Sequence, residues 1–148
     1  MINILDGQFD ICEGVFDLSV SETEVESGMV LCLDSNTEIK IFRGLETDNQ
    51  PFGLSGDDYD ATDYDAKNLP ELARRKISIY RGSMWIETDQ FDEEQSYAGG
   101  TPLYADTGSD GISYGQLTTA LPQYHQKELG VVVSHNPGRG LLICSLKV

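Results

Sequence analysis

Positive charge is the scarcest resource in this 148-residue chain: 10 Lys and Arg stand against 25 Asp and Glu, a formal net charge of −15 at neutral pH. Nucleic acids are held mainly by Lys and Arg that neutralise phosphates, so this balance excludes nucleic acid as a direct partner. It argues equally against an anionic membrane surface. Cysteine is scarce too: Cys12, Cys32 and Cys144 are 3 in number and widely spaced, each in an apolar-rich run. An odd, scattered set is not a disulfide framework and reads as free thiols of a protein folded in a reducing cytosol. The 2 histidines, His125 and His135, have no Cys or His at metal-ligand spacing and read as residues of polar turns. No apolar run approaches the roughly 20 residues that span a bilayer. The opening MINILDGQFD lacks the basic start and long apolar core of a signal peptide. No glycine-rich phosphate loop opens a helix, and no serine sits in a nucleophile elbow. The residues therefore predict no cofactor, no metal and no enzyme.

What the chain has is glycine, 15 of them, spread between short β-prone runs. The length fits one domain spanning 1–148. The stretch 76–88, KISIYRGSMWIET, organises the pattern and holds the only tryptophan, Trp85. Ile77 and Ile79 alternate with Ser78 and Tyr80, Arg81-Gly82-Ser83 reads as a turn, and Met84, Trp85 and Ile86 resume the apolar run: a β-hairpin. A second hairpin is expected over 29–33 and 38–42, and a third over 130–134 and 141–148. Short strands are expected at 2–5 and 9–12, separated by Asp6-Gly7, and further ones at 15–20, 101–104 and 117–121. The one helix signal covers 68–76, with Asn68 as cap, Pro70 in the first turn and Arg74-Arg75-Lys76 at the end. The sum is an all-β, single-domain barrel or sandwich of roughly nine to eleven short strands with one short helix.

The acidic excess is uneven, since residues 1–65 hold 16 of the 25 acids but only Lys40 and Arg43 among the bases. This gives either solubility by self-repulsion or a negative face for a basic partner. The densest run, DDYDATDYD at 57–65, fails as an EF-hand: counting from Asp58, the sixth residue is Asp63 rather than Gly and the twelfth is Leu69 rather than Glu. It reads as a solvated loop. Arg74, Arg75, Lys76 and Arg81 form the only local positive patch, which either completes the helix end or meets the acidic half of a neighbouring copy.

Ala105-Asp106-Thr107-Gly108-Ser109 resembles the Asp-Thr-Gly signature of retroviral-type aspartic proteases, with Glu128-Leu129-Gly130 as a weak echo of their later apolar-apolar-Gly segment. In those enzymes a homodimer pairs one carboxylate from each subunit, so Asp106 would be catalytic. The strand before it is poorly apolar, and Asp-Thr-Gly is also an ordinary turn sequence. A carbohydrate-binding virion surface module is a further alternative, with Tyr59, Tyr64 and Tyr97 as stacking aromatics.

The order of segments in the second half runs from ISIYRG and WIETDQF through GGTPLYAD and GQLTT to ELGVVVS and GLLICSLKV. It resembles the capsid decoration, or cement, proteins of tailed bacteriophage heads. The residues that carry the resemblance are Gly100, Leu103 and Tyr104, then Gly115, Leu117 and Thr118, then Leu129, Gly130, Val131 and Val133. The first half matches more loosely, through Gly28-Met29-Val30 and Pro51-Phe52-Gly53-Leu54. The resemblance implies a β-barrel or β-tulip-like structural protein on the outer capsid surface of the virion, made in the bacterial host cytoplasm. It would bind where major capsid protein subunits meet, as a trimer, and clamp them. On that expectation residues 1–5 (Met1, Ile2 and Ile4 among them) form a docking arm, Trp85 lies at a contact or else in the core, and Arg74 and Arg75 face a neighbouring copy.

Overall fold

The computed structural model describes residues 1–17, 24–60, 76–107 and 114–148. These form eleven strands: β1 (Ile2–Val15), β2 (Glu24–Val25), β3 (Val30–Leu33), β4 (Ile39–Ile41), β5 (Pro51–Ser55), β6 (Tyr59–Asp60), β7 (Lys76–Thr88), β8 (Pro102–Thr107), β9 (Tyr114–Thr118), β10 (Gly130–Asn136) and β11 (Leu141–Lys147). The chain is all-β, as expected, and the architecture is a nearly closed antiparallel barrel. Of the helix expected over 68–76, residues 68–75, with Arg74 and Arg75, lie outside the described residues; its last residue, Lys76, opens β7 instead, and no described residue is helical.

The main sheet runs β4-β3-β5-β7-β11-β10-β8-β9, and β2 and β6 pair separately. Its ends meet at a seam where Gly115 N–H donates to Phe42 C=O at 3.0 Å. Glycine is required there: φ is +72°, and a Cβ would stand 2.8 Å from Ile41 Cγ2 and 3.2 Å from Val30 C=O. Alternation sorts each strand by face. In β11, Leu142, Cys144 and Leu146 are buried while Ile143 and Ser145 are not. The larger core gathers Phe42, Leu54, Met84, Ile86, Leu103 and Leu117 among others. A smaller one joins Phe16, Val25, Leu31, Ile39, Ile77 and Ile79.

Residues 76–88 are not a hairpin. β7 is one strand, paired along its length with β1, from Ile2 opposite Thr88 to Val15 opposite Lys76. On its other edge β11 pairs with Ser83 to Thr88, and β5 with Ile79 and Tyr80. Gly82 does not turn the chain. It is the point where the inward face changes, from Ile77 and Ile79 before it to Met84, Ile86 and Thr88 after it. Its φ of +123° and the Gln8 carbonyl 2.6 Å from where a Cβ would lie both demand glycine, which is why the position imitates a turn signal. The same correction applies to Asp6-Gly7, where β1 continues with a bulge between Ile4 and Asp6. One long ribbon thus crosses from the smaller core to the larger, and β1 ends against β4, where Asp17 N–H donates to Ile39 C=O at 2.8 Å.

The hairpins of β3 with β4 and β10 with β11 form as expected. In the first, Asp34 Oδ1 accepts the N–H groups of Asn36 and Glu38, both at 2.8 Å, and Thr37 takes a positive φ of 64°. The strand expected at 117–121 lies earlier, at Tyr114–Thr118, because Thr118 Oγ1 accepts Ala120 N–H at 3.1 Å and turns the chain. Of the strand expected at 15–20, residues 18–20 lie outside the described residues, while Val15 ends β1 and Phe16 bridges Ile39.

Candidate docking surface

Trp85 stands on the outside of the barrel. Its neighbours along the strand, Met84 and Ile86, are 1% and 0% exposed, whereas Trp85 is 49% exposed. Strand alternation forces this outcome, since the tryptophan occupies the polar-phase position of β7. The row across the sheet at this level reads Asp6 on β1, Trp85 on β7, Ser145 on β11 and Val131 on β10. The bulged Leu5 on β1, and Val131 and Val133 on β10, two strands from β7, are further exposed apolar side chains. The expectation that placed Trp85 in the core fails; the one that placed it at a surface is the one compatible with its position.

Met1, Ile2 and Ile4 do not form a loose arm. Ile2 pairs with Thr88 and Ile4 with Ile86, and both pack against the larger core. Met1 is exposed, its amino group bonds Asp89, and its C=O accepts Thr88 Oγ1 at 3.0 Å. The Asp89 carboxyl is partly desolvated, and its bonds to that amino group and to Gln90 outweigh the desolvation, holding it below the usual carboxylate range. Trp85 and Ile4 therefore share one ribbon, while Arg74 and Arg75 lie outside the described residues.

Asp106 lies at the end of β8, 7% exposed, in a polar cleft of about 290 Å³ lined also by Asp92, Gln95, Thr118 and Gln123. Gly108 of its triplet, and Ser109 after it, are outside the described residues. Tyr97 is no stacking platform. It is 8% exposed, and its hydroxyl donates to Asp92 C=O at 2.7 Å. Burial, then the charges of Asp92 and Asp106, push that hydroxyl well above the usual tyrosine range. Tyr64 lies outside the described residues, and nothing is described of the Tyr59 side chain.

The histidines differ from expectation. His125 is 7% exposed, sits edge-on to Phe42 at 5.1 Å and bonds Leu45 C=O through Nε2 at 2.7 Å. A carbonyl only accepts, so Nε2 carries the proton, and buried Nδ1 has no hydrogen-bond partner among the described residues. His135 is half-buried between the rings of Phe91 and Tyr97, at 5.2 and 5.3 Å.

Several acids are structural. Asp57 accepts Ser78 N–H at 3.0 Å and Asp58 accepts Ser27 N–H at 2.8 Å. Asp48 accepts the N–H groups of Arg43 and Leu45 at 3.0 and 3.2 Å, and Lys40 Nζ at 2.6 Å. Among the described residues, Asp17, Asp34 and Glu38 bring carboxylate oxygens within 4.8 Å of one another. Asp34 is already spent on its turn, and Asp17 and Glu38 have further partners. Sequence reading missed the Asp48 bracket because its backbone partners, Arg43 and Leu45, lie in an irregular loop with no periodic signal. A short Asp-Asn pair after a turn was the only signal.

Comparison with family models, with curated proteins and with solved structures gives no match to this chain.

Proposed function

We propose that the chain is a structural virion protein without catalytic activity, which binds the outer surface of a bacteriophage capsid and stabilises contacts between major capsid protein subunits, as a trimer. The observation that carries this reading is the stance of Trp85, the sole tryptophan, half-exposed on the outer face of a rigid strand. Tryptophan is the residue type most enriched among interface anchors. Covering its exposed half, about 120 Å² of a side chain of roughly 250 Å², contributes about 3 kcal/mol, or about 100-fold in affinity. Repeated over a lattice, modest contacts of this kind sum to firm attachment. The net charge of −15 keeps free copies apart and favours a basic receiving surface.

Co-sedimentation with capsid shells of the source virus lacking this protein tests the reading. Saturable binding that raises the disruption temperature of the shells is the expected result, and Trp85→Ala, folded by circular dichroism, binds about 100-fold more weakly. A folded wild-type chain that ignores the shells would sink the proposal.

A further inference from the structure

We infer that the outer edge of β1 is a strand-docking site for an extended segment of another protein that carries Lys or Arg. This goes beyond the virion reading, because it stands on backbone geometry and holds for any partner that presents such a segment.

The direction of the backbone groups follows from bonds on the far side of β7. Gly82 exchanges two hydrogen bonds with Val148, its N–H at 2.8 Å and its C=O at 3.1 Å, so its backbone groups point away from β1. Phe9, opposite Gly82, therefore turns its own N–H and C=O outward. Ser78 C=O accepts Gly56 N–H at 2.9 Å, which fixes Glu13, opposite Ser78, in the same way. Antiparallel alternation adds Ile11 and Gly7, the latter with its N–H taken by Asp6 Oδ1 at 2.7 Å. Among the described residues nothing pairs with this edge from Gly7 to Glu13. The bulge at Leu5 limits it at one end and the Asp17–Ile39 bond at the other. The open stretch is roughly 20 Å long.

Edges that repel other strands are short, twisted away by bulges, or carry Pro or charges. This one is long, its bulge lies outside the open stretch, and it exposes Ile11 (63%) within that stretch and Leu5 (53%) at its limit, so its only deterrent is acidic charge. Its charges select the occupant. β1 presents Asp6, Asp10 and Glu13, of which Glu13 pairs with Lys76 at 3.0 Å. Asp10 has no ion pair among the described residues. Arg81 opposite it is held on the Phe52 ring at 3.9 Å, with Nε on Phe52 C=O at 2.9 Å. A second copy is a poor occupant. The antiparallel register that sets Leu5 against Ile11 also sets Asp6 against Asp10, twice, and each copy brings a net charge of −15. A basic segment converts both contacts into opposite-charge pairs.

The probe is the capped octapeptide Ac-Val-Lys-Val-Lys-Val-Lys-Val-Lys-NH2, with amide hydrogen exchange read by NMR on the full chain. The amides of Phe9, Ile11 and Glu13 should exchange rapidly in the free chain and at least tenfold more slowly at saturating peptide. The same peptide fully N-methylated, equal in charge, should give no protection. Asp6→Lys with Asp10→Lys should weaken binding at least tenfold. Ile11→Pro, which removes an outward N–H and none of the β1–β7 ladder, should abolish the protection at Phe9 and Glu13. Three results overturn the inference: no binding, binding by charge alone with those amides unprotected, or protection that rises with chain concentration without peptide, which would seat a second copy on the edge. None of them involves shells, so failure here is distinct from failure of the virion proposal.

Discussion

Removing the Asp48 carboxylate should loosen the barrel at its seam. Its side chain is fully buried, bonded to Lys40 Nζ at 2.6 Å and to the N–H groups of Arg43 and Leu45. Burial works against the Lys40 charge, but the bond to Asp48 and its charge outweigh this and raise the Lys40 pKa above the ordinary lysine value. In Asp48→Ala, two part-buried N–H groups lose their acceptor, at about 1–2 kcal/mol each. Lys40 loses its counter-charge but keeps 19% side-chain exposure, so it reaches water at modest cost. The total is about 3 kcal/mol. Asp48→Asn keeps an oxygen for the backbone donors and should cost about 1–2 kcal/mol.

The consequence extends beyond the loop. Leu45, whose N–H Asp48 holds, supplies the carbonyl that receives His125 Nε2, and His125 packs on Phe42, the residue that accepts the Gly115 seam bond. Urea denaturation with fluorescence and far-UV readouts gives the stability change, and hydrogen exchange at Gly115 N–H gives the local one. We expect Asp48→Ala to lower the midpoint and speed exchange at Gly115 more than at the amides of β11. An Asp48→Ala protein within 0.5 kcal/mol of wild type, by the surface-substitution range, would refute the bracket. A large loss without faster exchange at Gly115 would refute its link to the seam.

Gly82→Ala should cost about 3 kcal/mol or more, because φ is +123° and the new methyl meets Gln8 C=O; a stability change under about 1 kcal/mol in urea would show that the ribbon yields there. The thiols should divide by burial. Burial pushes Cys32 and Cys144 up to about 12, with the Asp48 charge adding to the first, whereas Cys12 is partly exposed. At pH 8 a disulfide reagent should titrate one thiol quickly and the other two only on unfolding; three fast thiols would contradict the core. These raised values also set a pH dependence. The folded state keeps two protons that the unfolded chain gives up above about pH 8.5, so this contribution is intact below that pH and is lost as pH climbs toward 12. Cys144→Ala should flatten the alkaline decline in stability measured between pH 8.5 and 10.5 in urea.

The class of fold was legible because alternation and turn chemistry are local. Asp34 caps its own turn, and Val132 with Leu142, Cys144 and Leu146 show their phase directly. The central ribbon was not legible. A glycine between two apolar runs reads the same whether it turns the chain or flips a strand's inward face, and Gly82 does the second. Only the partner on each edge decides, and those partners, Phe9 and Val148, are far away in sequence. His125 misled for a related reason, since its polar neighbours gave no hint of a carbonyl eighty residues distant in the chain. Trp85 was legible as important but not as exposed. Its surroundings are apolar, and a phase set by Met84 and Ile86 puts it outside.

The two surface features draw on one ribbon for a physical reason. β7 has both edges occupied, by β1 on one side and by β11 and β5 on the other, so Trp85 is presented from a backbone with little freedom left to lose on binding. Among the described residues β1 has one edge occupied from Gly7 to Glu13 and inherits that rigidity through the ladder, so the edge we infer to dock a strand is already extended, the geometry a partner strand needs. A loop offering the same groups would have to be ordered at each encounter, at about 1–2 kcal/mol for every residue fixed. With the exposed tryptophan and the proposed docking edge on adjacent strands, a partner engaging one would come within reach of the other. The contacts of Asp6, beside Trp85 on the outer face and at the rim of the free edge, sit where the two features join.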